Sequence, residues 1–169
     1  VAVRLSFVEE ASLESYAIAW FGKGNFSHVD ALRDDGSRWG ARSDSVGGKP
    51  PGIQLRPAGY AEFSREEIFT IPATPLEEVS FWAWWESQEG KPYDKLEILG
   101  FLFDKDWMHP GWYICSAAGY ASLASIDLLP YSPYLPPNKI DPGMLSMVVS
   151  CVPGVTWVSP LPVSPAQPQ

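Results

Sequence analysis

Cysteine and histidine are scarce in this chain: there are two of each in 169 residues, Cys115 and Cys151, His28 and His109. A domain of this length does not need a disulfide to hold its core. Neither histidine stands in an HExxH or CxxC setting, so there is no zinc-ligand pattern and no cofactor is expected. Lys and Arg number 12 against 20 Asp and Glu, a net charge of −8 with a pI near 4.7. Without a basic cluster the chain lacks what displaces counterions from a phosphate backbone, which argues against nucleic acid as a partner. No apolar run reaches the length of a transmembrane segment. The start Val-Ala-Val-Arg lacks the basic-then-apolar order of a signal peptide, and the missing initiator Met leaves a removed leader open. Compartment and oligomeric state stay undetermined from the sequence.

What the chain has in plenty is aromatic residues: eight Trp, seven Tyr and eight Phe, which predicts an aromatic-rich core or binding groove. Length and composition suit one domain over residues 1–152, followed by a Pro-rich tail at 153–169, extended or partly disordered. In residues 2–8, Val3, Leu5 and Phe7 alternate with Arg4 and Ser6, the pattern of a half-buried strand. A helix is expected from the Ser12 cap through Trp20, ended at Gly22-Lys-Gly24. Those glycines follow a helix instead of preceding one, so they do not read as a phosphate loop. Asp35-Gly36 between residues 28–32 and 37–42 signals a hairpin.

Further short strands are expected at 52–56 and 66–71. An acidic first turn after Pro75, Glu77-Glu78, opens a helix carrying Phe81, Trp82, Trp84 and Trp85. Core packing is the plain reading of those rings; a platform for a glycan or acyl chain is the other. Gly90-Lys91-Pro92-Tyr93-Asp94 breaks that helix. Lys95–Phe103 reads as a further helical stretch, His109 as a rim residue in a loop, and Leu129–Pro142 as Pro-rich and irregular. Met144–Val152 is apolar and fits helix or strand, with Cys151 a buried structural thiol. The architecture predicted is α+β: a small antiparallel sheet from segments 28–32, 37–42, 52–56 and 66–71 packed on helices.

The stretch Trp112-Tyr113-Ile114-Cys115-Ser116-Ala117-Ala118-Gly119 passes from bulky, β-prone residues to small ones. Cys115 therefore falls where a strand gives way to a helix. Unpaired N–H groups and the positive end of the dipole at a helix start stabilise a thiolate, the reactive form of cysteine. On the strand at 28–32, His28 and Asp30 share one face, which sets a carboxylate beside an imidazole. The plainer alternatives are a core thiol, a structural histidine and a solvated carboxylate.

The order of these signals is more specific than any one of them. Phe-Ser-His28-Val-Asp is followed by a hairpin ending in Gly40-Ala41, then Gly-Ile-Gln-Leu-Arg-Pro with Tyr60, then Gly-Lys-Pro-Tyr93-Asp, then Trp-Tyr-Ile-Cys115-Ser. The series, over roughly residues 26–146, resembles the circularly permuted, papain-like branch of the NlpC-type cysteine hydrolases, the YiiX-like group, and especially small members from bacteria and their phages. In that group the histidine precedes the nucleophile, as here, and Ile140-Asp-Pro142-Gly-Met-Leu145 is similar to its Pro-x-x-Leu segment. The resemblance implies a permuted papain-like fold, Cys115 as nucleophile, His28 as general base, and Tyr93 as a supporting residue near the oxyanion.

The resemblance also implies amide-bond cleavage through a thioester, with a peptide substrate such as a cell-wall peptide. Two alternatives go with it: a lipid acyltransferase or thioesterase using the same pair, and a catalytically silent binding or structural module. The chain departs from the pattern in two places. Gly40 stands before Ala41 where relatives carry a polar third residue, and Cys-Ser-Ala replaces Cys-Ser-Glu. Asp30 is the nearest substitute for the missing orienting group.

Overall fold

The computed structural model describes residues 1–10, 26–94, 113–129 and 140–160. The expected helix at 12–20 with Gly22 and Gly24, the Lys95–Phe103 stretch, His109, most of the Pro-rich run before Pro142 and the tail beyond Pro160 lie outside these residues. Among the described residues the chain is α+β, with an antiparallel sheet of six strands in the order β4-β3-β2-β1-β5-β6 and three helices. The strands are β1 (Ala2–Glu9), β2 (His28–Leu32), β3 (Arg38–Arg42), β4 (Gly52–Arg56), β5 (Arg65–Pro72) and β6 (Thr156–Val158). The helices are α1 (Pro75–Ser87), α2 (Cys115–Ala124) and α3 (Pro142–Ser150).

Two strands enlarge the sheet beyond the four segments expected to build it. The alternating run at the start becomes β1, which lies in the middle and pairs with both β2 and β5. Thr156–Val158, early in the Pro-rich tail, is extended and pairs with β5 as an edge strand. Trp157 is held there by stacking on Phe69, with ring centroids 5.9 Å apart.

Register divides the sheet into two faces, because directly paired residues point to the same side. One face carries Val3, Leu5, Phe7, Val29, Ala31, Trp39, Ala41, Ile53, Phe69 and Ile71, all in the buried apolar core. Completely burying a side chain such as Leu5 or Phe7 contributes about 1.5–3 kcal/mol. The other face carries Ser6, His28, Asp30, Arg38, Gly40, Arg42, Gln54, Arg56 and Glu66. Of these, Ser6, His28, Asp30, Arg42, Gln54 and Arg56 are also buried. The β2–β3 hairpin turns at Gly36, whose φ of +82° a side chain would strain and whose N–H reaches the Arg33 carbonyl at 3.1 Å.

The helices form where the sequence supplies caps. Thr74 and Glu77 form a reciprocal capping box at the start of α1, with Pro75 in the first turn. Asp141 caps α3, accepting from the Met144 N–H at 2.8 Å, which resolves the apolar run from 144 as helix. On α1, Phe81 and Trp85, one helical turn apart, are fully buried, and Trp82 and Trp84 pack partly buried against the same core. Core packing is thus what these rings do.

Cys151 corrects an expectation, since it is exposed and not buried. Leu145, Val149 and Val152 take the inward positions around the end of α3, and Cys151 at the C-cap falls off that stripe.

Candidate functional site

The site begins on β2. His28 is its first residue, and Asp30, two residues on, projects from the same face. Nε2 of His28 and Oδ1 of Asp30 lie 2.7 Å apart, with the two residues 7% and 1% exposed. The partner strand makes room for that carboxylate. A Cβ at position 40 would lie 1.8 Å from Asp30 Oδ1 and 3.4 Å from His28 Nε2. Gly40 has an ordinary φ, so glycine serves here as space: the Asp30 carboxylate occupies the volume that a side chain at 40 would fill. The absence of a third polar group on β3 and the presence of Asp30 on β2 are therefore one arrangement.

Cys115 arrives from the helix layer as the first residue of α2. Ile114 before it is extended (φ −87°, ψ 167°) and offers no side-chain cap, which leaves the first N–H groups of the helix without a capping oxygen. Small residues let α2 settle closely: a Cβ on Gly119 would meet Leu145 Cδ2 at 3.0 Å and Val29 Cγ1 at 3.7 Å. The approach to Cys115 is fixed through β4. The Ile53 N–H donates to the Lys91 carbonyl and the Gly90 N–H to the Ile53 carbonyl, each at 2.9 Å. A Cβ on Gly52 (φ +104°) would fall 2.3 Å from the Lys91 oxygen, so only glycine lets β4 come this near the 90–93 turn. That turn then bridges Tyr113: Tyr113 N–H donates to the Pro92 carbonyl at 3.3 Å and Asp94 N–H to the Tyr113 carbonyl at 3.2 Å. Trp84 and Lys91 pack on the Tyr113 ring.

The structure brings Cys115, His28 and Asp30 together. Burial works against a charge on His28, but the Asp30 carboxylate, then the charge of Cys115 and hydrogen bonds to both, raise its pKa to about 10. Asp30 is lowered: burial opposes its ionisation, and the His28 charge and its hydrogen bond, followed by that of Tyr60, outweigh it. With Nε2 engaged by Asp30, Nδ1 is the ring nitrogen left for a second partner. Tyr93, expected beside the oxyanion, is buried, and its backbone pairs with Tyr113, two residues before Cys115.

Residues to which the sequence analysis gave no role surround this trio. Tyr60 Oη donates to Asp30 Oδ2 at 2.6 Å. Arg42 binds Glu10 and Asp44 and donates to Tyr60 Oη at 3.2 Å. Arg56, 1% exposed, donates to the Gly40 carbonyl at 3.0 Å and the Pro50 carbonyl at 3.2 Å. The seat of Asp30 was within reach of sequence reasoning, because the hairpin pairs Ala31 with Trp39 and so sets Gly40 beside Asp30. Tyr60 lies on a loop, where no periodicity points to it.

The chain is similar in fold to the crystal structure of the metalloprotein YiiX from Escherichia coli O157:H7, a DUF1105 protein. The two are 15% identical, with a TM-score of 0.58 over 93% of this chain and 95% of that one. This likeness establishes a YiiX-like α+β fold. No family model and no curated protein matches the chain. Among the described residues no group of three or more His, Cys, Asp or Glu side chains is arranged to hold a metal ion. These residues do not fit a metal centre. Among the same residues no helix is long and apolar enough to cross a membrane.

Proposed function

We propose that this chain is a cysteine hydrolase of the permuted papain-like kind, which cleaves amide bonds, in cell-wall peptides by preference, through a thioester on Cys115. The observation that carries the reading is Cys115 at the uncapped start of α2, close enough to His28 to raise its pKa together with Asp30, which holds His28 Nε2. The YiiX-like fold and the order of histidine before cysteine support it. The cell-wall substrate comes from the motif resemblance alone.

In this mechanism His28 holds the proton of Cys115, and the thiolate attacks the substrate carbonyl carbon. Backbone N–H groups at the helix start receive the oxyanion; loss of one such donor typically costs about a hundredfold or more in rate. His28 passes its proton to the leaving nitrogen as the C–N bond breaks, leaving an acyl thioester and a free amine. A water then gives its proton to His28 and attacks the thioester, and the returning proton restores the thiol and releases the acid. Asp30 keeps Nε2 protonated and the ring turned so that Nδ1 meets the sulfur, the orienting role of a third residue.

The test is release of free amino groups from muropeptides by purified protein, beside turnover of acyl esters. Wild type is expected to release amines and leave the esters intact, and Cys115→Ala to release none. Equal release by a folded Cys115→Ala protein, or ester turnover alone, overturns the reading. The lipid alternative draws less support from the aromatic helix, because Phe81 and Trp85 lie in the core.

A further inference from the structure

β4 and β5 follow one another in sequence but stand on opposite sides of β3, β2 and β1, so residues 57–64 must cross the sheet. A segment of that length spans at most about 29 Å, against roughly 19 Å for four strand spacings. The crossover is a short strap, and its contacts show that it crosses the polar face. Phe63 lies under the Arg38 guanidinium of β3, 5.1 Å from the ring centroid. The N–H and the hydroxyl of Ser64 both reach the Glu9 carbonyl of β1 at 3.0 Å. Midway, the Tyr60 ring packs beneath Arg42 of β3 and Arg56 of β4, at 5.4 and 5.9 Å, and edge-on to Phe63. Gly47 gives the ring its room, since a Cβ there would lie 2.8 Å from Tyr60 Cβ.

At the centre of this face Asp30 is held on three sides: Oδ1 on His28 Nε2, Oδ2 on Tyr60 Oη, and Gly40 beneath. A carboxylate with one oxygen on the imidazole and the other free could turn about its Cβ–Cγ bond and carry the ring with it. Two anchors stop that rotation. We propose that Tyr60 is a positioning residue: by donating to Oδ2 it fixes the plane of the Asp30 carboxylate and so the direction in which the His28 ring presents Nδ1 to Cys115. The strap thereby belongs to the site, although it touches neither sulfur nor imidazole. This inference rests on the reading of Cys115 and His28 as nucleophile and base.

The phenol is suited to the role because burial, then the Asp30 charge, push its ionisation far upward, so it remains a donor at every ordinary pH. The charged and titratable groups around Asp30 are His28 on its own strand, Tyr60 on the strap, Arg38 and Arg42 on β3, Arg56 on β4 and, through His28, Cys115 on α2. Tyr60 is the one among them that donates to Oδ2.

The test is the rate of iodoacetamide labelling of Cys115 as a function of pH, followed by intact mass, in wild type, Tyr60→Phe, Asp30→Asn and the double variant. Removing the hydroxyl is expected to slow labelling at mildly acidic pH about tenfold and to raise the pH at which labelling sets in by about one unit. The effect should vanish in the Asp30→Asn background, because Tyr60 acts through that carboxylate. A purely electrostatic role gives the opposite sign: without the Tyr60 donor Asp30 becomes a stronger partner for the imidazolium, and labelling sets in earlier. An unchanged or earlier onset in folded Tyr60→Phe therefore overturns the proposal, as does an equal effect with and without Asp30. If Tyr60→Phe does not fold, Tyr60→Met is measured against the same outcomes. Wild-type labelling of Cys115 that is indifferent to His28→Ala overturns the hydrolase reading itself, and the role of Tyr60 with it.

Discussion

The two faces of the central sheet are both buried, yet they are built on different principles. The apolar face, from Val3 to Ile71, meets the helices through side chains that need only fit, and its aromatic pairs such as Phe7 and Phe69 at 5.1 Å add edge-to-face contact. The polar face buries charge, and most of that charge is paired: Arg38 with Glu66 at 2.8 Å, Arg42 with Glu10 and Asp44, Asp30 with His28. Arg56 has four backbone carbonyls in place of a carboxylate, and its pKa is lowered chiefly by burial. Apolar residues of similar volume would commonly stabilise such a layer as well or better. Directed contacts fix the orientation of groups, which packing alone does not. One face supplies stability; the other supplies the geometry in which His28 meets Cys115.

This division is sharpest in what damage to each face does. Leu5→Ala empties space on the apolar face and is expected to cost about 2–5 kcal/mol in urea denaturation. His28-dependent labelling of Cys115 in the molecules that stay folded should persist. A fall in labelling of the folded fraction would show that the two faces are not separable. Asp30→Asn does the reverse, with a smaller stability loss of about 1.5–3 kcal/mol and a collapse of mildly acidic labelling. Its stability loss carries a pH signature. His28 is raised from 6.5 to about 10, so its contribution is complete below about 6.5 and is lost as pH climbs through about 10. Asp30 is lowered from 3.8, so its contribution is present above that value and is lost as pH falls further. The difference between wild type and Asp30→Asn should therefore peak between about pH 4 and 6.5 and narrow on either side. A difference that is flat with pH would mean that the pair is not ionised as argued.

Gly40→Ala is a subtler break in the polar face. The added methyl must displace the Asp30 carboxylate, at a cost of about 1–3 kcal/mol, and slow Cys115 labelling. In Asp30→Ala/Gly40→Ala the stability cost of the methyl should disappear while labelling stays slow, because the collision is relieved and the orienting group is gone. Additive stability losses would place the cost elsewhere on β3.

How legible each face was in the sequence follows from the same contrast. Alternation exposed the strand at 2–8, because burying one side of a sheet imposes a period of two, and the Asp35-Gly36 turn exposed the hairpin between 28–32 and 37–42. The change from bulky to small residues placed Cys115 at a helix start. Local chemistry also marked α1, through Pro75 and its acidic first turn. The centrality of β1 was not readable, since strand order depends on which long-range pairings form. The roles of Tyr60 and Arg42 were hidden for a related reason. Both residues join the site through a crossover and a sheet register, and nothing within a few residues of either reveals the partner. Gly40 misled differently: read as a missing side chain, it is the space that Asp30 fills.

The smallest effect expected concerns the second thiol, and it tests whether reactivity belongs to the polar face or to cysteine in general. Cys151 sits exposed at the C-cap of α3, with its backbone N–H bonded to the Val148 carbonyl. Cys151→Ser keeps that backbone bond and removes little buried surface, so stability should move by less than about 0.5 kcal/mol. Accessibility alone would make Cys151 the faster of the two thiols, because Cys115 is only 2% exposed. Pairing with His28 predicts the opposite order at mildly acidic pH, where the thiolate is the species that reacts. Labelling mapped by peptide mass should then fall on Cys115, should be unchanged in Cys151→Ser, and should vanish in His28→Ala. If the label sits on Cys151 and disappears with Cys151→Ser, exposure governs reactivity in this molecule and the buried trio is architecture.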